Sequence, residues 1–200
     1  MSAPLIENKK LAENLFRLLA ANNPDAQLVE THISTVLLVG DYAYKIKKPL
    51  DLGFLDFSTL DRRAHCCREE VRLNKRLAPE IYLDVVAIRG STEHPTLTGD
   101  GKVIEYAVRM RRFSGQVLLS ENPAALEPEL AEKIAERLAE FHGTIACAAD
   151  DQPFGEPEAV LFPMQQNFEQ VRGLVDDTEV LDKLERLESW TLSSYQGLRP

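Results

Sequence analysis

A stretch of strict period-two alternation commits the middle of this chain to a β-sheet. Between Tyr42 and Lys48, the side chains of Tyr42, Tyr44 and Ile46 alternate with those of Ala43, Lys45 and Lys47. Successive side chains of a strand point to opposite faces, so one face here is apolar and the other presents amines. Gly40-Asp41 marks a tight turn just before it. The run Thr35 to Val39 is therefore predicted as the preceding strand, with Leu28 to Ser34 as a further short strand ahead of it.

Helical spacing flanks this sheet. Leu11, Leu15, Leu18 and Leu19 predict a helix over Asn8 to Ala21, closed by Asn22-Asn23-Pro24. Ser58-Thr59-Leu60-Asp61 has the serine-to-acid spacing of a capping box. The helix it opens is expected to run to about Leu77, before Pro79, with Cys66, Val71, Leu73 and Leu77 inward and Glu69 and Glu70 in its middle. Ile81 to Ile88 and Lys102 to Arg112 are predicted strands, the second following a turn at Gly99-Asp100-Gly101.

After Phe113 the pattern is helical. Pro128 suits a first helical position and is followed by Leu130, Ile134, Leu138, Phe141 and Ile145. A further helix is expected around Pro163 to Val175. A last one is expected over Asp177 to Tyr195, burying Val180, Leu181, Leu184, Leu187 and Trp190. The expectation is an α+β chain: residues 1–113 form an antiparallel sheet with one inserted helix, and 114–200 are helical.

Composition narrows the classes of partner. A formal net charge of -9 argues against a nucleic-acid binder, which needs a basic face. Lysine is concentrated in one place, at Lys45, Lys47 and Lys48, where an anionic ligand could still bind. No apolar run approaches a membrane span, and Met1 to Lys10 is polar, unlike a secretory signal. Cys66, Cys67 and Cys147 are few, odd in number and without metal-ligand spacing. They read as reduced thiols of a cytoplasmic protein.

Lys45 on a strand and Glu70 in the middle of the next helix form a pairing with known chemistry. Phosphoryl transfer needs a cation to hold nucleotide phosphates, and in kinase folds a strand lysine held by a helix glutamate supplies it. Lys47 and Glu69 are the alternative members of such a pair, because Lys47 shares a face with Lys45 and Glu69 adjoins Glu70.

Longer strings carry a resemblance. They are Val29-Glu30-Thr31-His32-Ile33-Ser34-Thr35-Val36, Tyr44-Lys45-Ile46-Lys47-Lys48-Pro49, Phe54-Leu55-Asp56-Phe57-Ser58-Thr59-Leu60-Asp61-Arg62-Arg63 and Glu70-Val71-Arg72-Leu73-Asn74-Lys75-Arg76-Leu77-Ala78-Pro79-Glu80-Ile81-Tyr82-Leu83. With Glu105-Tyr106-Ala107-Val108-Arg109-Met110-Arg111-Arg112-Phe113, they resemble a bacterial branch of the aminoglycoside phosphotransferase-like family. That branch is often fused to a downstream P-loop kinase-like domain. The resemblance spans about Gln27 to Phe141.

It implies a protein kinase-like N-terminal lobe followed by the first helices of a second lobe, with ATP as the nucleotide and a small-molecule phosphate acceptor of unknown identity. Lys45 and Glu70 would be the phosphate lysine and its partner. The turn His32-Ile33-Ser34-Thr35 would offer backbone N–H groups and the Ser34 and Thr35 hydroxyls to the phosphates. Met110 to Phe113, with Met110 and Arg111 leading, would be the hinge that meets the adenine edge.

The family's later His-Gly-Asp loop, its asparagine and its second metal-binding aspartate have no counterpart here. His142-Gly143-Thr144 lacks the acid and sits at a predicted helix end. Asp51-Leu52-Gly53 comes in the wrong order, and Asp150-Asp151 and Asp176-Asp177 read as solvated acids. The expectation is a shortened chain without catalytic residues, with magnesium needed only alongside the absent part, and with helices prone to self-association. A non-catalytic nucleotide-binding or regulatory module is the alternative.

Overall fold

A computed structural model describes residues 2–113, 118–149 and 151–198. Packing divides the chain into two units, Met1–Phe141 and His142–Pro200. The compositional break near Phe113 falls just after the last strand of the first unit, and a short 3-10 turn at Pro123–Ala125 precedes the next helix.

The first unit is built on a six-stranded antiparallel sheet. Its strands are β1 (Gln27–Glu30), β2 (Ser34–Val39), β3 (Tyr42–Lys47), β4 (Tyr82–Gly90), β5 (Pro95–Thr96) and β6 (Val103–Arg111), in the order β1-β2-β3-β6-β4-β5. Helix α1 (Ala3–Ala20) packs on one face and α2 (Leu60–Asn74) on the other. The strand alternation has this cause: Tyr44 and Ile46 join Leu37, Ile88 and Ala107 against Leu11, Ala12 and Leu15 of α1. On the opposite face Val108, Tyr106, Val85 and Tyr82 pack against Cys67 and Val71 of α2. Burial pushes the Cys67 thiol up to about 12, so it is an inert core group.

Several boundaries differ from the sequence reading. Helix α1 begins five residues before the expected Asn8, with Pro4 in its first turn, where a missing N–H costs nothing. The N-cap of α2 is Thr59, whose Oγ1 accepts from Arg62 N at 3.2 Å, and Ser58 instead donates to Asp56 Oδ1. Cys67, packed against the sheet, is buried in place of Cys66. Leu73 and Leu77 are exposed. β5 was not foreseen, being only two residues paired with the end of β4.

Helix α3 (Pro128–Thr144) runs across the boundary between the units. In the second unit α4 (Pro157–Arg172) and α5 (Thr178–Leu198) pack against each other, and Arg172 pairs with Glu188. Pro157, rather than Pro163, takes the first turn of α4, and the helix continues through Pro163. Asp177 caps α5, its Oδ1 accepting from Glu179 N and Val180 N. Val180, Leu187 and Trp190 are not on the buried side; Trp190 is 66% exposed, because the inward stripe follows Leu181, Leu184, Glu188 and Leu192. Among the described residues no helix is long and apolar enough to cross a membrane.

Candidate functional site

The amines of β3 have a partner. Lys45 Nζ lies 2.8 Å from Glu70 Oε1, and Lys47 Nζ lies 2.5 Å from Glu70 Oε2. Both lysines therefore meet Glu70, one on each oxygen. The alternative acid, Glu69, points away and binds Arg72 at 2.7 Å. Helix geometry explains this: Cys67 and Val71 anchor α2 to the sheet, and Glu70 lies on the same side as they do. Burial pushes the Glu70 carboxyl up, but hydrogen bonds from Lys45 and Lys47 and their charges outweigh it and hold the group below its usual range.

Sheet register arranges what lies around this cluster. Directly opposed residues share a face, so Gln27, Leu38, Ala43 and Met110 form one row across four strands. The next row on that face carries Val36, Lys45 and Val108, and the row after it carries Ser34 and Lys47. Rows on one face are separated by two residues, about 7 Å. Helix α2 covers the β6 and β4 part of this face. The first row, in which Ala43 is buried and Leu38 and Met110 are half-buried, lines a cleft of about 730 Å³ bordered also by Arg111, Phe113, Leu118 and Glu121. The cleft thus ends one row from Lys45.

The predicted residues separate accordingly. Lys45, Glu70, Met110 and Ser34 lie on or against one face; Arg111, at the end of β6, borders the cleft although it is paired with Tyr42 of the other face. Thr35 lies opposite Ile46, on the α1 face, and is not brought to the cluster. Ser34 and Thr35 belong to β2 rather than to the turn before it. Both side chains are buried, and neither hydroxyl has a partner among the described residues. The turn itself is held by Thr31, whose Oγ1 accepts from Ser34 N and donates to Ser34 O, both at 2.9 Å. Lys48 Nζ secures it from outside, bonding Thr31 O at 2.6 Å and Glu30 at 2.5 Å.

A second buried ionic group sits where the pairing of β3 with β6 stops at Ile46 and Ala107. In the gap beyond, Arg63 of α2 reaches Glu105 of β6 with Nε at 3.0 and 2.9 Å and Nη2 at 2.9 Å. Arg63 Nη1 donates to Phe57 O, and Asn8 Nδ2 of α1 donates to Glu105 and to Lys47 O. Three elements and the strand carrying both lysines are tied together here. Nothing in the spacing of Asn8, Arg63 and Glu105 announces this, since they are 55 and 42 positions apart.

Two of the other acids singled out from the sequence, Asp51 and Asp177, hold turns and helix starts. Asp51 Oδ1 accepts from Gly53 N at 3.0 Å in a turn where Gly53 has φ 79°. His142 lies in the last turn of α3 and Asp151 is exposed; Asp150 lies outside the described residues. Among the described residues no group of three or more His, Cys, Asp or Glu could hold a metal ion.

Three curated proteins match this chain with 34% identity over 169 residues, one from Mycobacterium bovis and two from strains of Mycobacterium tuberculosis. Each is described as an uncharacterized protein. The matched stretch is 84% of this chain and 32% of theirs, so the chain spans about a third of the length of these relatives. No family model matches the chain, and no solved structure matches it.

Proposed function

We propose that the first unit is the nucleotide-binding lobe of an ATP-dependent phosphotransferase with a protein kinase-like fold, acting on a small-molecule acceptor. The observation that carries this is the Lys45–Glu70–Lys47 cluster, one row of the sheet from an open cleft. Kinase folds place the phosphate lysine on the third strand and pair it with a glutamate of the following helix. Here the lysine is on β3, the acid is on α2, and the two are 2.8 Å apart.

The cleft offers the apolar side chains of Leu38, Ala43 and Met110 beside the polar Gln27, Asp41 and Arg112, and the next row of the sheet carries Lys45, which meets Glu70 together with Lys47. Ala43-Tyr44-Lys45 has the alanine-to-lysine spacing of the corresponding kinase strand. Met110 to Phe113 borders the cleft, with Arg112 N bound to Asp41 O at 2.8 Å to fix its course. ATP would be held by its base in the cleft and by its phosphates at Lys45. No residue of these 200 is assigned to the transfer step, because the sequence contains no His-Gly-Asp.

Calorimetric titration of the purified chain with ATP tests this. Binding that Lys45→Ala weakens about 10- to 100-fold, without loss of far-ultraviolet dichroism, is the expected outcome. A chain that binds no ATP, or binds it unchanged as Lys45→Ala, refutes the reading. No steady phosphotransfer is expected from these 200 residues alone, and a rate lost in Lys45→Ala would refute that part.

A further inference from the structure

We infer that the two lysines divide the work of the cluster: Lys47 is the resident counter-ion of Glu70, and this leaves Lys45 free to bind a polyphosphate anion. The inference rests on the nucleotide reading above and assigns its two amines.

Burial separates them first. The Lys47 side chain is 5% exposed and that of Lys45 is 28% exposed. The Lys47 ammonium lies 4.8 Å from the centre of the Phe57 ring, and its main-chain carbonyl is held by Asn8 at 3.2 Å. A buried ammonium is costly without its acid, so Lys47 has nowhere else to go. Lys45 can swing away, because solvent already reaches its side chain.

The use of separate oxygens makes that departure tolerable. Lys45 binds Oε1 and Lys47 binds Oε2, so Glu70 keeps one charge-assisted bond when Lys45 leaves. Charge points the same way. Two ammoniums and one carboxylate leave an excess of one positive charge, which attracts an anion; a lone lysine–glutamate pair would be neutral. Register completes the division, since Lys45 is one row nearer the cleft than Lys47. Lys47 is thus a positioning residue, and Lys45 is the ligand-binding one.

The test is titration with ATP, without divalent metal, of the wild-type chain and the variants Lys45→Met, Lys47→Met and Lys47→Met/Glu70→Gln. Lys45→Met is expected to raise Kd about 10- to 100-fold, the worth of a hydrogen bond to a charged group. Lys47→Met also weakens binding, because Lys45 becomes the sole partner of Glu70 and the cluster is neutral. Adding Glu70→Gln to Lys47→Met should recover about tenfold in affinity, since Lys45 is released and the positive charge returns. A purely structural Lys47 would give no such rescue. Lys47→Met binding ATP like the wild type, or the double variant binding no tighter than Lys47→Met, overturns the proposal.

Melting of the ligand-free chain tests it independently. Glu70→Gln should lower Tm, with most of the loss restored by adding Lys47→Met and none by adding Lys45→Met. If Glu70→Gln does not fold, recovery of a folded chain only with Lys47→Met is the same result. Equal rescue by either lysine variant, or rescue by Lys45→Met alone, overturns the division. A wild-type chain that binds no ATP refutes the nucleotide reading alone, and the melting comparison then decides the role of Lys47.

Discussion

Replacing Arg63 by leucine should be among the most damaging single changes in the sheet unit. Arg63 supplies Glu105 with three short contacts, of 2.9, 2.9 and 3.0 Å, while Glu105 is 2% exposed. Without the guanidinium, Glu105 keeps, among the described residues, only Asn8 Nδ2 and Tyr106 N, each at 3.0 Å, as neutral donors. Breaking one side of a buried pair costs about 3–5 kcal/mol, because the surviving charge is left uncompensated. The carbonyls of Phe57 and Ser58 also lose a donor. The expected loss is about 4 kcal/mol, a large share of the roughly 5–15 kcal/mol that holds a domain together. Replacing both partners, in Arg63→Leu/Glu105→Leu, removes the uncompensated charge and should recover most of that loss. Urea unfolding followed by far-ultraviolet dichroism is the assay. Fluorescence of the single tryptophan, Trp190, would report the other unit. Arg63→Leu within about 1 kcal/mol of the wild type, or a double variant less stable than the single one, would refute the reasoning.

Three further outcomes are expected. The Glu70 carboxyl is held below its ordinary 4.5, so the stability it contributes is present above that pH and is lost as pH falls through the lowered folded value. Melting between about pH 6 and pH 3 should show that acid limb, flattened in Glu70→Gln; an unchanged limb would contradict it. Thr59→Ala should cost about 1 kcal/mol in urea unfolding, more than Ser58→Ala, and the reverse order would return the cap to Ser58. Leu130, Ile134 and Leu138 of α3, and Ile145 just after it, are more than a third exposed, so light scattering should show mass rising with concentration. Ile134→Glu should reduce that rise, and a monomer at every concentration would contradict the expectation.

The sheet was legible because period two is a local signal: Tyr42 to Lys47 announces both its strand and its faces. The helices were legible wherever one face is apolar over several turns. Register was not legible, because Ser34 and Thr35 look alike in sequence, and only pairing with Lys47 and Ile46 sends them to opposite faces. The cap of α2 was missed by one residue, since Ser58 and Thr59 are equally good caps, and Asp56 claimed Ser58. Lys45 and Glu70 could be nominated from residue type and order. That both lysines reach the same carboxylate depends on how α2 is rotated, which Cys67 and Val71 set. Asn8, Arg63 and Glu105 meet only because three distant segments converge at the end of β3. No local pattern encodes that meeting.

A crystal structure of the chain with a non-hydrolysable ATP analogue tests the nucleotide site most directly. The account expects the base over Leu38, Ala43 and Met110, and the phosphates within hydrogen-bond reach of Lys45, with Lys47 still on Glu70. An analogue bound elsewhere, or phosphates that leave Lys45 on Glu70 untouched, would contradict it.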